Sequence, residues 1–327
     1  MAFQLSPGVN VSEIDLTTIV PSVATSIGGI AGNFNWGPVS EVVTVSDEVR
    51  LVSRFGKPDS TNYEYWFSAA NFLAYSNNLK VVRAANTSST LNATANGSGV
   101  LIKNQDDYTA NRETATNTSY GPFGARYAGA LGNSLRISIC PSSQAYSSNL
   151  ASTDSVNVTR SGTGNTSVDV TSTPVANLYV GDLVSFDGGT SYVRTTAVSA
   201  TYINVASSVT VTAGAPVLRK WQYADQFGVA PGTSDYVSSR GGSRDELHVI
   251  VVDEDGLFSG SANTVLEKYA FVSKATDAIS NDGSSSYYKT VINTQSQYVW
   301  WLTHQPGGTN WGNTSTGVTF TNINTPF

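Results

Sequence analysis

Between residues 155 and 218 apolar and polar residues alternate with a period of two, and no other feature constrains the fold as tightly. Val156/Val158, Val168/Val170, Leu183/Val184/Phe186, Tyr192/Val193, Tyr202/Ile203/Val205 and Val209/Val211 carry the pattern. Gly162, Gly164, Gly181-Asp182 and Gly188-Gly189 separate them as turns. Successive side chains of a strand point to opposite faces, so each segment can bury one side only. Short strands at this spacing predict a small barrel or sandwich. Neither flank alternates in this way, so residues 151–218 are expected to form an inserted β domain.

The flanks predict mixed α/β structure. Val23 to Ile30 reads as a strand, Trp36-Gly37-Pro38 as a turn, and Val42, Val43 and Val45 as a second strand. Ser46 is the expected N-cap of a helix, with Asp47 and Glu48 facing its dipole and Val49, Val52 and Phe55 as its apolar face. Gly56 and Pro58 stop that helix. A second helix is expected over about 62–76 from Trp66, Ala69, Phe72 and Leu73, followed by the strand Leu79–Val82. Further strands are expected at Val100–Ile102 and Leu135–Ile139. Leu247–Val252 is a continuous apolar run that suits a buried central strand. Val265, Leu266, Tyr269, Val272 and Ala275 recur at helical spacing and predict a helix over 264–279. A helix over about 286–296 and the strand Tyr298–Leu302 complete the series.

The overall expectation is a multi-domain α/β (α+β) protein. It comprises an arm at 1–20, an α/β part at 21–85, an α/β domain built from 86–150 and 219–305, the insert at 151–218, and a tail at 306–327. In the arm, Val9, Val11, Glu13 and Ile14 follow the Ser6-Pro7-Gly8 breaker with a strand-like pattern and no local hairpin partner. An isolated strand leaves its amides unpaired, so this one is expected to pair elsewhere.

Composition excludes several function classes. A net charge of -6 and 13% charged residues argue against a DNA-phosphate surface. No apolar run reaches the ~18 residues of a membrane span, and no secretory signal is expected from Met1-Ala2-Phe3-Gln4-Leu5. Sequons at Asn86, Asn92, Asn96, Asn117 and Asn157 fit a polar, turn-rich composition. The single cysteine, Cys140, can form neither an intrachain disulfide nor a cysteine metal cage, and is expected to be buried as a small apolar residue.

Candidate chemistry is sparse. Asp253-Glu254-Asp255-Gly256 carries clustered carboxylates but lacks the further ligands of a calcium loop, so it reads as a solvated turn. Of the two histidines, His248 alternates within a core strand and His304 lies in a glycine-rich loop. No nucleophile elbow or phosphate loop is present, and the Gly28-Gly29 and Gly32 pattern leads into a turn instead of a helix. No catalytic, cofactor-binding or metal-ligating residue is assigned, no cofactor is expected, and enzymatic activity is not expected. Trp221, Trp300, Trp301 and Trp311 present either a sugar-binding platform or core. Trp300 and Trp301 point to opposite sides of a strand, which favours core for at least one.

Several stretches resemble the tail sheath proteins of T4-like contractile phages. They are Leu5-Ser6-Pro7-Gly8-Val9 with Ser12-Glu13, Ala31-Gly32-Asn33-Phe34-Asn35-Trp36-Gly37-Pro38, Phe55-Gly56-Lys57-Pro58, Ala69-Ala70-Asn71-Phe72-Leu73 and Val81-Val82-Arg83-Ala84. Ala125-Arg126-Tyr127 with Gly129-Ala130-Leu131-Gly132-Asn133 follows, with Ala128 where the family usually has proline. Ala230-Pro231-Gly232-Thr233-Ser234, Asp245-Glu246-Leu247-His248-Val249 and Asp253-Glu254-Asp255-Gly256 are similar to sheaths of the cyanophage type. Order and spacing carry the resemblance over nearly all of 1–147 and 219–312; residues 155–218 stand outside it.

The resemblance implies a virion structural protein, assembled in the bacterial cytoplasm as a helical homo-oligomer around a tail tube protein and capped by baseplate and tail terminator proteins. It implies strand exchange through Val9, Val11, Glu13 and Ile14, and contraction by rigid-body rearrangement during host entry and genome ejection. It also implies that a C-terminal part is missing. Direct contact with nucleic acid or membrane insertion is not expected. An alternative is a virion surface protein that recognises host carbohydrate through the β insert. A weaker one is a hydrolase using Asp253 or Glu254.

Overall fold

A computed structural model describes residues 26–114, 118–171 and 177–326. The described residues fall into two compact units, one holding 26–34 and 41–84, the other 35–40 and 85–326.

The first unit has a three-stranded sheet ordered β1-β3-β2, from β1 (Gly28–Gly32), β2 (Val42–Val45) and β3 (Leu79–Arg83). β3 is parallel to β1 and antiparallel to β2. Two helices, α1 (Glu48–Phe55) and α2 (Tyr63–Leu73), connect β2 to β3. Phe34, Val45, Leu51, Phe55, Trp66, Ala69, Leu79 and Val81 form the core. The glycines of β1 let α2 approach: a Cβ on Gly28 would stand 2.5 Å from the Phe72 ring, and one on Gly32 2.7 Å from that of Tyr65.

Two local expectations shift here. The N-cap of α1 is Asp47, not Ser46; its carboxylate accepts from the Arg50 amide at 2.8 Å, while the Ser46 hydroxyl donates to it. The stronger acceptor takes the cap. The buried face is Leu51 and Phe55, four residues apart, with Val52 at its margin. Val49 lies two residues from Leu51, about 200° round the helix, and is 79% exposed. Gly56 ends α1 in a left-handed conformation (φ 82°), as expected from its lack of a Cβ.

The second unit begins with Asn35–Ser40, so the Trp36-Gly37-Pro38 turn belongs with the later part of the chain. Trp36 packs edge-on against Tyr127 at 5.2 Å and Phe258 at 5.0 Å. The chain continues through α3 (Gln105–Asn111), β4 (Phe123–Ala125), β5 (Leu135–Cys140), α4 (Ser143–Tyr146), β6 (Ser147–Asn149) and α5 (Leu150–Thr153). Then come β7 (Gly162–Asp169), β8 (Leu183–Ser185), β9 (Val193–Val198), β10 (Tyr202–Val211) and β11 (Leu218–Lys220). It ends with α6 (Asp235–Ser238), β12 (Glu246–Asp253), β13 (Thr264–Ser273), α7 (Tyr288–Gln295) and β14 (Val299–Trp301). The expected strand at Val100–Ile102 is reduced to a single bridge between Val100 and Asn92. Its apolar residues are nevertheless buried, with Tyr108 of α3, a helix the sequence did not suggest.

β12 is the centre of an antiparallel sheet, β13-β12-β5. Residues 264–273 are therefore a strand, not the first part of a helix over 264–279. The cause is local. Leu247 pairs with Val272 and Val249 with Tyr269, so β13 carries one extra residue there, where Phe271 sits at φ 54°. A second extra residue lies opposite the step from Val251 to Val252. Each bulge converts a spacing of two into three, and the sum imitates a helical period.

The alternating block forms one six-stranded sheet, ordered β6-β11-β8-β9-β10-β7. Among the described residues its ladders do not close into a barrel. Isolated bridges join Val158 to Val170, just past β7, and Asn157 to Pro216, just before β11. Leu150, Val156, Val158, Val168, Val170, Leu178, Val184, Phe186, Ile203, Val205, Val211 and Val217 form its core. β10 is one long strand, irregular near Val209, where two separate strands were expected.

Candidate functional site

Val9, Val11, Glu13 and Ile14 lie outside the described residues. β1 and β2 are the outer strands of the first unit's sheet, and β5 is an outer strand of β13-β12-β5.

The edge of β5 is the most fully built. Glu254 donates its amide to the Ser134 carbonyl. In an antiparallel ladder this sets the alternation: Arg136, Ser138 and Cys140 exchange bonds with β12, while Leu135, Ile137 and Ile139 aim their backbone groups outward. The Leu135 amide turns back to Gly132. The amides of Ile137 and Ile139 and the carbonyls of all three make no hydrogen bond on that side with any described residue. They face a cavity of about 430 Å³, lined on one wall by Ala93–Ala95 and Phe123–Ala125 and on another by Arg136 and Glu254. Two side-chain atoms among its lining residues, Thr94 Oγ1 and Arg136 Nε, are buried without a partner among the described residues.

The carboxylate cluster is structural in its geometry. Asp253 is fully buried, not solvated; Glu254 and Asp255 are exposed. One Asp253 oxygen accepts from Ser134 Oγ at 2.6 Å, and the other from the Phe258 and Ser259 amides and from Ser259 Oγ at 2.7–3.0 Å. Burial alone raises its pKa, but these donors outweigh it and hold the carboxyl below its ordinary value. Glu254 pairs with Arg136 at 2.9 Å. Among the described residues no three histidine, cysteine or acidic side chains are grouped to hold a metal ion.

His248 is buried in β12; its Nε2 contacts the Val229 carbonyl at 2.9 Å and its Nδ1 accepts from the Phe271 amide. Its ring stacks on Phe227 at 4.4 Å. His304 Nδ1 lies 2.6 Å from the Tyr288 hydroxyl, and burial with the nearby Lys289 ammonium pulls its pKa down to about 4. Neither stands beside a serine or cysteine nucleophile in these contacts. Cys140 is buried, its thiol pushed up to about 12 by desolvation.

The tryptophans are core. Trp221 and Trp300 are 0% exposed, Trp301 2% and Trp311 4%, so the four make no sugar platform. Trp300 stacks on Tyr108 at 4.2 Å, with the Arg126 guanidinium 3.7 Å from its ring centroid, and Trp301 lies in a different cluster on the opposite side of β14.

Two buried cations of the second unit escaped the sequence reading. Arg219 pairs with Asp182 at 3.4 Å and donates to the Gln144 and Ala145 carbonyls. Lys274 donates to the Pro141 and Arg244 carbonyls at 2.7 and 2.8 Å, and burial pulls it down to about 8. No motif marks either, because their partners are distant in the chain. Among the described residues no helix is long and apolar enough to cross a membrane.

Residues 25–84 match a family model described as tail sheath protein Gp18 domain III N-terminal region. The tail sheath protein of Enterobacteria phage T4 is 39% identical over 89 residues, which is 27% of this chain and 14% of that protein. The tail sheath protein of Vibrio phage KVP40 is 37% identical over 90 residues, 28% of this chain and 13% of its own. The tail sheath protein of Salmonella phage ViI is 25% identical over 334 aligned residues, covering 91% of this chain and 49% of its own. The chain thus spans about half the length of the Salmonella phage protein and less of the other two in alignment. By these matches the chain is similar to phage tail sheath proteins, and its residues 25–84 are similar to the domain III N-terminal region that the family model describes.

Proposed function

We propose that this chain acts mechanically, as part of a structural subunit of a contractile phage tail sheath. The alignment with a tail sheath protein across 91% of the chain carries this reading. Identical subunits associate head to tail; a contact of that kind that does not close generates a helix. The helix surrounds the tail tube, with baseplate and tail terminator proteins at its ends, in a virion assembled in the host cytoplasm. Residues 1–20 act as an arm whose Val9, Val11, Glu13 and Ile14 add a strand to a neighbour's sheet. Strand addition supplies backbone bonds with little demand on side-chain identity. Residues 21–85, 86–150 with 219–305, and 151–218 move as bodies while the arms keep them linked. Contraction is a switch between two packings of these bodies and drives the tube through the host envelope.

The reading is supported by clusters of apolar core residues within each unit and by outer strands left open in their sheets. A chain lacking residues 1–20 is expected to keep its circular dichroism spectrum and to stay out of sheaths formed with a full-length subunit. Its normal incorporation, seen by electron microscopy, would sink the arm assignment.

A further inference from the structure

We propose that His248 is an acid-sensitive latch: its neutral ring ties the Phe271 bulge of β13 to the segment at Val229, and a proton on the ring releases the bulge.

The two partners fix the tautomer. An amide can only donate, so Nδ1, 3.1 Å from the Phe271 nitrogen, carries no hydrogen. A carbonyl can only accept, so Nε2, 2.9 Å from the Val229 oxygen, carries one. Both ring nitrogens are committed. A further proton has to go to Nδ1, where it meets the Phe271 N–H. The amide then loses its acceptor, and two donors face each other. The Nε2 bond survives, since both forms of the ring carry that hydrogen. The break therefore falls on the bulge.

The bulge is strained. Leu247 pairs with Val272 and Val249 with Tyr269, so Ala270 and Phe271 both stand opposite His248. Phe271 takes φ 54°, a conformation that bulky side chains rarely adopt. Such strain persists only while the surroundings hold it. Here His248 supplies the acceptor for the amide and an edge-on contact at 4.6 Å for the Phe271 ring. The imidazole is fully buried, but Phe271 is 39% exposed and Val229 64%. Release can therefore reach the surface without opening the core beneath.

No neighbour stabilises an imidazolium. The titratable and charged groups on the elements packed around the ring are Glu246 on β12, Cys140 on β5, Tyr146 on α4, Asp225 in the turn before Phe227, and Lys268 on β13. None of them hydrogen-bonds to the ring. Burial lowers the pKa of His248 from 6.5, against weaker opposition from backbone bonds, so the latch is closed above that value and opens as pH falls below it. Burial pushes Cys140 and Tyr146 up, and both stay neutral in acid. Burial also raises Glu246, so its proton uptake has to be told apart from that of the imidazole.

Histidine side-chain nitrogen NMR and amide exchange on the whole chain test the latch. Near neutral pH His248 is expected as the Nε2–H tautomer. Below pH 6.5 the Phe271 amide is expected to lose about tenfold in protection, corrected for intrinsic exchange, roughly the worth of one hydrogen bond. The loss should track protonation of the ring and precede unfolding of the chain. His248→Asn keeps an acceptor in place of Nδ1 that takes up no proton, and should hold the protection constant. Glu246→Gln should leave the acid loss intact. An Nδ1–H tautomer near neutral pH overturns the latch, as does protection that stays constant until the whole chain unfolds. An acid loss that survives in His248→Asn, or vanishes in Glu246→Gln, overturns it too. The tautomer and the exchange profile need no variant, so they decide the matter even if a substituted chain misfolds.

Discussion

Arg219 and Asp182 form an ion pair closed to solvent, with Nη1 3.4 Å from Oδ2 and side-chain exposures of 0% and 2%. They are 37 residues apart. Arg219 also donates to the Gln144 and Ala145 carbonyls at the end of α4 and to Ser148 Oγ in β6. One guanidinium therefore ties together the exit of the chain into the six-stranded sheet, the loop before β8, and the return through β11. Burial raises the pKa of Asp182, and Arg219 opposes that rise.

Removing one partner leaves the other charge buried. Arg219→Leu is expected to destabilise by about 3–5 kcal/mol, and Arg219→Leu with Asp182→Leu by less than Arg219→Leu alone. Denaturant midpoints of the single and double variants check this. Hydrogen exchange in Arg219→Leu should rise first in β6, β8 and β11.

Asp253 holds the turn from β12 to β13 through four hydrogen bonds that its carboxylate accepts. Asp253→Ala leaves the Phe258 and Ser259 amides without their acceptor and is expected to cost about 2 kcal/mol. Asp255→Asn, on an exposed residue, should change stability by less than ~0.5 kcal/mol. Equal effects of the two in thermal denaturation would contradict the structural role.

His304 makes stability depend on pH. Above its ordinary pKa of 6.5 the imidazole is neutral in both folded and unfolded chains, and its contribution is constant. Between 6.5 and about 4 the unfolded chain binds a proton that the folded chain does not, so stability falls as pH falls. His248, also held below its ordinary value by burial, acts in the same direction. His304→Gln should flatten the fall in urea midpoint across this window without abolishing it.

Trp300 is enclosed by Tyr108, stacked at 4.2 Å, and the Arg126 guanidinium, 3.7 Å from its ring. Its Nε1 donates to the Arg126 carbonyl at 2.8 Å. Trp300→Ala is expected to cost about 3–5 kcal/mol, as for other buried tryptophans. A calorimetric melting temperature within one or two degrees of the parent would show that the ring is not core.

The sequence by itself determined the elements whose signals are local. α1, α2, β3, β12, α7 and β14 follow from periodicity, from the stop of α1 at Gly56, and from the apolar run Leu247–Val252, because propensity and burial agree there. The alternation of 155–218 likewise determined strands. Tertiary structure decided the rest. β13 reads as a helix until its two bulges are seen, since a bulge is defined by the partner strand, β12. Whether the alternating strands close depends on bridges such as that from Asn157 to Pro216, between segments far apart in the chain. The destination of Trp36, the burial of all four tryptophans, and the pairing of Arg219 with Asp182 are likewise long-range outcomes. A sequence fixes which faces a segment can bury, but only packing selects what those faces meet.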